Sequence, residues 1–553
     1  MLAPADTNIA GALSKMAARI PDETALVAPN GTKGGEPQYI SLTYQELEQR
    51  SNQAAHGLCD LGISEGCRVV LMVKPSIDLF TLVFAIFKAG AVPVLVDPGI
   101  GLKYLKQCIG EAEPEAFIGI PPAHVARLIL GWGKATIKTK LWVGGKLSFG
   151  LPTLNGLIQK HADKTTFEIK AQAPGTTAAI LFTSGSTGVP KGVVYTHETF
   201  LAQVESIREM FKIEPGDVDL PTFPLFALFD PALGMTTIIP DMDPTRPAQA
   251  DPTKLIGAIE RFKVTTMFGS PALLNTLGRY AEANQVKLPT LKRVLSAGAP
   301  MPAPTIQRIK NMMADDGQLF PPYGATESLP VAYLEANEVL NDTWANTEQG
   351  AGICVGRPVP QIRTRIIPTD DGALSDFSQT TDCPVGTIGE ITVSGPMVTA
   401  SYFKRDEATQ LAKIKDAEGH VWHRMGDLGY FDDQGRLWFC GRKSHRVQPS
   451  EDLTLYTTQV EALFNNHPDV FRSALVGIGA RPTQKPVICI EMEKRASMSW
   501  AALKGALEEI ARGHELTRGI DTFLLHPQFP VDIRHNAKIG RPQLAQWAKG
   551  RLS

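Results

Sequence analysis

An apolar run, AAILFT at 178–183, leads directly into a segment rich in glycine and hydroxyls, TSGSTGVPKG at 183–192. A buried strand that ends in a loop of this kind points to an α/β architecture, in which helices cover a sheet and loops at the strand ends carry chemistry. Thr183, Ser184, Ser186 and Thr187 offer hydroxyl donors, and Gly185 and Gly188 let backbone amides curl around an anion. Lys191 adds a positive charge. The loop suits phosphate groups but is not a Walker A motif, because Pro190 precedes Lys191 where that pattern requires Gly-Lys-Ser/Thr. A flexible Ser/Gly linker would have no need of Pro190-Lys191-Gly192 after so dense a set of donors.

The same alternation recurs along the chain. Ser76 can cap a helix to about Lys88, Gly90 suits its C-terminal turn, and AVPVLVD then reads as a buried strand. TTMFG at 265–269 precedes the helical PALLNTLGRYAEA, and KRVLSAG at 292–298 is a further strand with a glycine end. From about 386 the texture turns to short strands and turns, with DDQG as a hairpin turn in GYFDDQGRLWFCGR. Beyond it TTQVEALFNNH, SALVGIG, PVICIEME and SWAALKGALEEIARG alternate helix, strand, strand and helix, as in a small α+β unit. The expected division is a large domain at 1–440, a hinge at 441–444 and a small mobile domain at 445–553. With 553 residues the chain exceeds one ordinary domain.

Lys+Arg 55 against Asp+Glu 57 gives a net charge of -2, no global field for gathering nucleic acid or acidic membranes. Small molecules are the expected partners. Seven scattered cysteines without a CxxC pair indicate neither a disulfide framework nor a zinc cluster, and a reducing cytoplasm fits. The first 21 residues lack the continuous apolar core of an export signal. The most apolar stretch, 79–97, is interrupted by Lys88, Gly90 and Pro93 and falls short of a membrane span.

The phosphate loop is one of an ordered set of strings: LTYQEL at 42–47, FKAGAVPVLVDP at 87–98, SAGAPMP at 296–302, PYGATE at 322–327, GEITVSGPMVTASY at 389–402, MGDLG at 425–429, GR at 441–442 and RHNAKIGR at 534–541. In that order they resemble the acyl-adenylate-forming superfamily of acyl-CoA synthetases, peptide-synthetase adenylation domains and firefly luciferase. The resemblance implies that a carboxylate attacks the α-phosphate of ATP to give a mixed anhydride with AMP. It implies that Tyr323 stacks on adenine beside Gly324, that the Gly298-Ala299-Pro300 backbone lines the purine, that Thr326 approaches the α-phosphate and that Glu327 holds Mg²⁺. It further implies that Asp427 accepts from the ribose hydroxyls, that Arg442 meets ATP at the domain junction and that Lys538 bridges carboxylate and α-phosphate. An isolated Arg or Lys would be a surface charge, and Arg534 and His535 keep a solvated basic face open as the alternative for Lys538.

Two departures bear on the acceptor. GRKSHRVQPSEDLTLYTTQVE at 441–461 has Ser444 at the hinge position and no glycine after Gly441, while Pro449 restricts the backbone, so a conventional thiol-accepting loop is not expected. In FPLFALFDPALG at 223–234 Ala227 stands where relatives often carry an aromatic or histidine; Phe226, Phe229, Phe268 and Leu274 are candidates for an acyl pocket around it. Pro321 replaces an asparagine common two residues before the tyrosine. These departures accompany a closer whole-chain resemblance to the β-lactone synthetases of bacterial long-chain olefin biosynthesis. That resemblance implies a long-chain 2-alkyl-3-hydroxy acid as substrate, its own β-hydroxyl as acceptor and association with other olefin-pathway enzymes. His197, His423 and His445 are proton-acceptor candidates by residue type only. The competing expectations are a medium- or long-chain acyl-CoA synthetase, sharing every adenylation residue, and a noncatalytic nucleotide-binding scaffold.

Overall fold

The computed structural model describes residues 4–34, 36–96, 100–145, 148, 150–183, 190–531 and 539–552. Among them, the expected helix after Ser76 spans Ile77–Lys88, and the Ser76 hydroxyl accepts from the Leu79 amide at 3.3 Å. Gly90 turns the chain at φ +71°, and the strand Val92–Val96 follows. Lys88, buried at the end of that apolar helix, is held by Glu48 Oε2, Ser51 Oγ and Asn52 Oδ1, each 2.7 Å away. Burial lowers its ammonium to about 8 against the pull of Glu48. No described helix is long and apolar enough to cross a membrane.

Three sheets form the larger part. The first runs in the order 139–142, 116–119, 68–72, 92–96, 177–183 and 191–196, parallel except for its last pair. The second places 318–320, 293–295, 266–268, 218–221 and 236–238 in parallel and closes with 24–33 and the antiparallel 36–43. Val92–Val96 and Ala116–Gly119 of the first sheet tolerate burial on both faces because helices pack over them, which accounts for their unbroken apolar runs. The third sheet is antiparallel and has eight strands, beginning at Tyr323–Ala325 and ending in chain order at Leu437–Arg442. It starts well before 386, where the sequence pattern first turns to hairpins. Gly324 shows why the early pair is hard to read: a β-carbon there would meet the Ser328 carbonyl oxygen at 2.7 Å, so a tight reversal replaces alternating strand residues.

After Arg442 a single turn, Lys443–His445, leads to the smaller part. There Val470–Ile478, Lys485–Met492 and Phe523–Leu525 form a sheet, accompanied by helices Thr457–Asn465, Trp500–Gly513 and Arg541–Leu552. It has its own core around Phe464, Leu475, Ile488, Ile490, Leu503 and Leu507. A described cysteine pair is not found: all seven thiols are free.

Candidate active site

The strands Val421–Phe431 and Leu437–Arg442 pair antiparallel in a register that sets Asp427 opposite Arg442. The edge hairpin carries Tyr323 to the same place, where its hydroxyl donates to Asp427 Oδ2 at 2.6 Å. Arg442 Nη1 lies 2.9 Å from Asp427 Oδ1 but directs its hydrogen bond to the Met425 carbonyl at 3.3 Å. Oδ1 therefore has charge compensation and no directed donor among the described residues. Burial pushes the Asp427 carboxyl above its usual range, against the pull of Arg442 and the Tyr323 hydroxyl. The guanidinium is held up chiefly by Asp427. A buried carboxylate oxygen short of one donor suits a ligand hydroxyl.

Glu327 lies in the two-residue turn of the same hairpin. Its Oε1 accepts from the Tyr402 hydroxyl at 2.6 Å, and its carbonyl accepts from the Thr399 amide and hydroxyl at 2.9 and 3.1 Å. Tyr195 donates to the Thr326 carbonyl. Lys191 begins the strand after the phosphate loop and places its Nζ 4.9 Å from the centre of the Tyr402 ring. Lys413, paired in register with His423, lies over the same ring at 5.9 Å, and burial lowers its ammonium to about 7. Thus Lys191 and Arg442 are cations gathered beside one anchored carboxylate, a setting for phosphates and a divalent cation, while the Lys413 amine behind them donates to the Thr399 carbonyl. Glu327 offers the hard oxygen a Mg²⁺ requires, with Tyr402 orienting it.

Gly298, Ala299 and Pro300 follow the strand Arg293–Leu295 and, with Tyr323, Gly324, Thr326, Glu327, Lys191, Asp427, Arg442 and Ser444, line one cavity of about 1500 Å³. Its apolar wall includes Phe226, Phe229 and Phe268, the first and last stacked with centroids 4.2 Å apart. The expected acyl wall needs correction at two positions. Leu274 is fully buried in the core of the second sheet, and Ala227 packs with Leu26, Phe80 and Phe84; neither lines this cavity. Ser184, Gly185, Ser186, Thr187 and Gly188 lie outside the described residues, as does the Thr183 side chain, and so do Arg534, His535 and Lys538.

The three histidines separate cleanly. His197 Nδ1 accepts from the Ile9 amide at 3.3 Å, burial lowers the ring to about 4, and it does not line the cavity. His445, lowered to about 3 by burial and then by Arg541 and Arg442, is also outside the lining. His423 does line it. Its Nδ1 lies 3.1 Å from the Ala412 carbonyl, which can only accept, so the proton resides on Nδ1 and Nε2 keeps its lone pair. Burial, then Lys413, hold its pKa well below that of free imidazole.

Tyr402, Lys413 and the pair Arg424–Glu390 escaped the sequence reading. Arg424 donates to Glu390 Oε2 at 2.6 and 3.0 Å, and Lys443 reaches Glu390 at 3.0 Å, tying the first residue after the sheet to the cavity wall. Tyr402 closes the quoted string GEITVSGPMVTASY, a signal that marked its position but not its role.

The family model for AMP-binding enzymes matches residues 13–403. The chain belongs to the AMP-binding enzyme family. Among relatives of this AMP-binding enzyme, it is 52% identical over 556 residues to an olefin β-lactone synthetase from Stenotrophomonas maltophilia (strain K279a), covering 99% of this chain and 98% of that one. A second olefin β-lactone synthetase, from Xanthomonas campestris pv. campestris, is 50% identical over 548 residues, covering 98% and 97%. In three dimensions the AMP-binding enzyme is similar to an amide bond synthetase from Marinactinospora thermotolerans, with a TM-score of 0.79, 22% identity and coverage of 98% and 99%. It is an adenylate-forming ligase with a large N-terminal and a small C-terminal domain.

Proposed function

We propose that the enzyme activates a long-chain 2-alkyl-3-hydroxy acid with Mg-ATP and closes it to a β-lactone, releasing pyrophosphate and AMP. The observation that carries this reading is identity of about half to two olefin β-lactone synthetases across both domains. In the first step a carboxylate oxygen attacks the α-phosphorus, and the bond to the departing pyrophosphate breaks. Glu327 would hold a Mg²⁺ ion, which when bound would supply charge neutralisation at the phosphates. Asp427 Oδ1 takes a ribose hydroxyl, Tyr323 and the 298–300 backbone bound the purine, and Lys191 and Arg442 face the phosphates. In the second step the β-hydroxyl oxygen attacks the acyl carbon, its proton passes to water, and the carbon–oxygen bond to AMP breaks. Holding hydroxyl and anhydride in one cavity supplies the proximity that a strained four-membered ring needs.

The turn at 441–444 serves as hinge between 1–440 and 445–553, with Ser444 in the cavity wall, and the hinge delivers Lys538 to the carboxylate during adenylation. Replacing Lys538 by Ala is expected to depress acid-dependent ATP–pyrophosphate exchange by at least about a hundredfold, the scale of one transition-state donor; unchanged exchange would remove that role. The decisive experiment analyses the products of the acid and Mg-ATP with and without coenzyme A. Lactone and AMP in both are expected. Acyl-CoA without lactone would replace the reading with that of an acyl-CoA synthetase.

A further inference from the structure

The helix Pro121–Leu130 covers the first sheet with His124 turned inward, its ring stacked on Trp142 at 4.6 Å. A surface helix normally presents polar residues on the opposite side. Here that side carries Val125, Leu128 and Ile129, which are 52%, 75% and 76% exposed. The first turn of the neighbouring helix Leu102–Ala112 adds Leu102, 62% exposed, and Tyr104. Leu102 and Leu105 of one helix and Ala123 and Ala126 of the other line the large cavity, so this apolar surface is continuous with the acyl site and lies at a mouth of it.

Charge around the patch is one-sided. Lys103, Lys106, Lys134 and Lys138 are exposed, and none pairs with an acid among the described residues. The nearby acids Glu111, Glu113 and Glu115 are each committed, to Arg405, Lys404 and Arg68 respectively. We infer that this face docks the enzyme on an anionic phospholipid bilayer, and that long-chain substrate passes between the two helices into the cavity. Five apolar side chains fall far short of the roughly 20–30 residues a side of a stable protein–protein interface. They suit shallow insertion at a headgroup boundary, with lysines facing anionic lipid. The passage of an acyl substrate rests on the function proposed above; the docking itself does not.

The test is flotation of the full-length protein with vesicles of phosphatidylglycerol and phosphatidylcholine in equal parts, against phosphatidylcholine alone. Wild type is expected to float with the anionic vesicles. Leu128→Asp with Ile129→Asp, on exposed positions outside the cavity, is expected to weaken binding at least about tenfold. Lys103→Glu with Lys106→Glu is expected to do so to a similar degree for anionic vesicles only. Unchanged melting temperatures verify that both variants fold. Failure of wild type to float, or flotation of either variant with anionic vesicles equal to that of wild type, would overturn the proposal. So would a dimer in sedimentation equilibrium that Leu128→Asp with Ile129→Asp converts to monomer, since the face would then join two copies. Flotation with acyl-CoA as product would leave docking standing and sink the lactone reading; lactone without flotation would do the reverse.

Discussion

Asp427 serves two partners with two oxygens: Oδ2 is taken by the Tyr323 hydroxyl, while Oδ1 meets Arg442 without an aligned hydrogen bond. Replacing Asp427 by Asn keeps the shape and removes the charge that compensates a half-buried guanidinium. A hydrogen bond to a charged group contributes about 1.5–3 kcal/mol, so the KM for ATP in pyrophosphate exchange is expected to rise on the order of tenfold to a hundredfold. An unchanged KM would detach Asp427 from nucleotide binding. Tyr402 acts one contact further out, through its 2.6 Å bond to Glu327. Partners that orient a metal ligand are worth about 10–100-fold in metal affinity, so Tyr402→Phe is expected to raise the half-saturating Mg²⁺ concentration by that order, with rate restored at high Mg²⁺. Equal Mg²⁺ dependence would deny the role. Tyr323, Asp427 and Arg442 were legible because each sits in a short contiguous string. Lys413 was not, because only the pairing of 413–415 with 421–423 places it beside His423, and that pairing leaves no local trace.

At the scale of elements, the strand Val218–Pro221 and the short helix Asp230–Leu233 bury Asp219 and Asp230 against each other, with Thr237 donating to Asp230 Oδ2 at 3.0 Å. Burial, then mutual repulsion, raise Asp230, and burial raises Asp219, so the pair retains a proton that free carboxyls would release. Folded pKa values above the unfolded ones give stability that is complete below about pH 4 and is lost as pH rises through the folded values, at about 1.4 kcal/mol per pH unit for each titrating group. Asp230→Asn keeps a donor toward Asp219 and cannot ionise. Urea denaturation is expected to show a smaller fall in stability between pH 5 and 8 than in wild type; parallel falls would refute the shared proton. Such a pair is invisible in sequence, since 219 and 230 belong to separate elements. The helix Ile77–Lys88 was legible for the converse reason: cap, apolar run and terminal glycine are contiguous. Of the four strands of the antiparallel sheet that precede 386, the first two, Tyr323–Ala325 and Ser328–Tyr333, are joined by a two-residue turn, and the first is too short to show alternation.

For the whole molecule, the alternation of elements revealed a small C-terminal part, but not how it seats on the large one. The seat is the helix Thr457–Asn465, where Gln459 donates to the Ala351 carbonyl at 3.3 Å and the following Asn466 donates to that of Glu348 at 2.8 Å. Arg446 adds an ion pair with Asp371 at 2.7 Å. Gly441, at φ +139°, lies against the first turn of this helix, and a β-carbon there would overlap the Thr457 hydroxyl oxygen. The glycine thus sets how closely the two parts approach. Gly441→Ala would force the helix off the sheet or strain the backbone at a φ that alanine rarely adopts, at an expected cost of about 1–3 kcal/mol. Because the collision is with one side-chain atom, Thr457→Ala in the same chain should restore part of the loss and leave the backbone strain. Urea denaturation of the two single variants and the double gives the coupling between the positions directly. A coupling near zero would mean that the helix does not rest on Gly441. A stabilising coupling, with faster proteolytic cleavage between 443 and 456 in Gly441→Ala alone, would show that this one contact holds the C-terminal part in its seat.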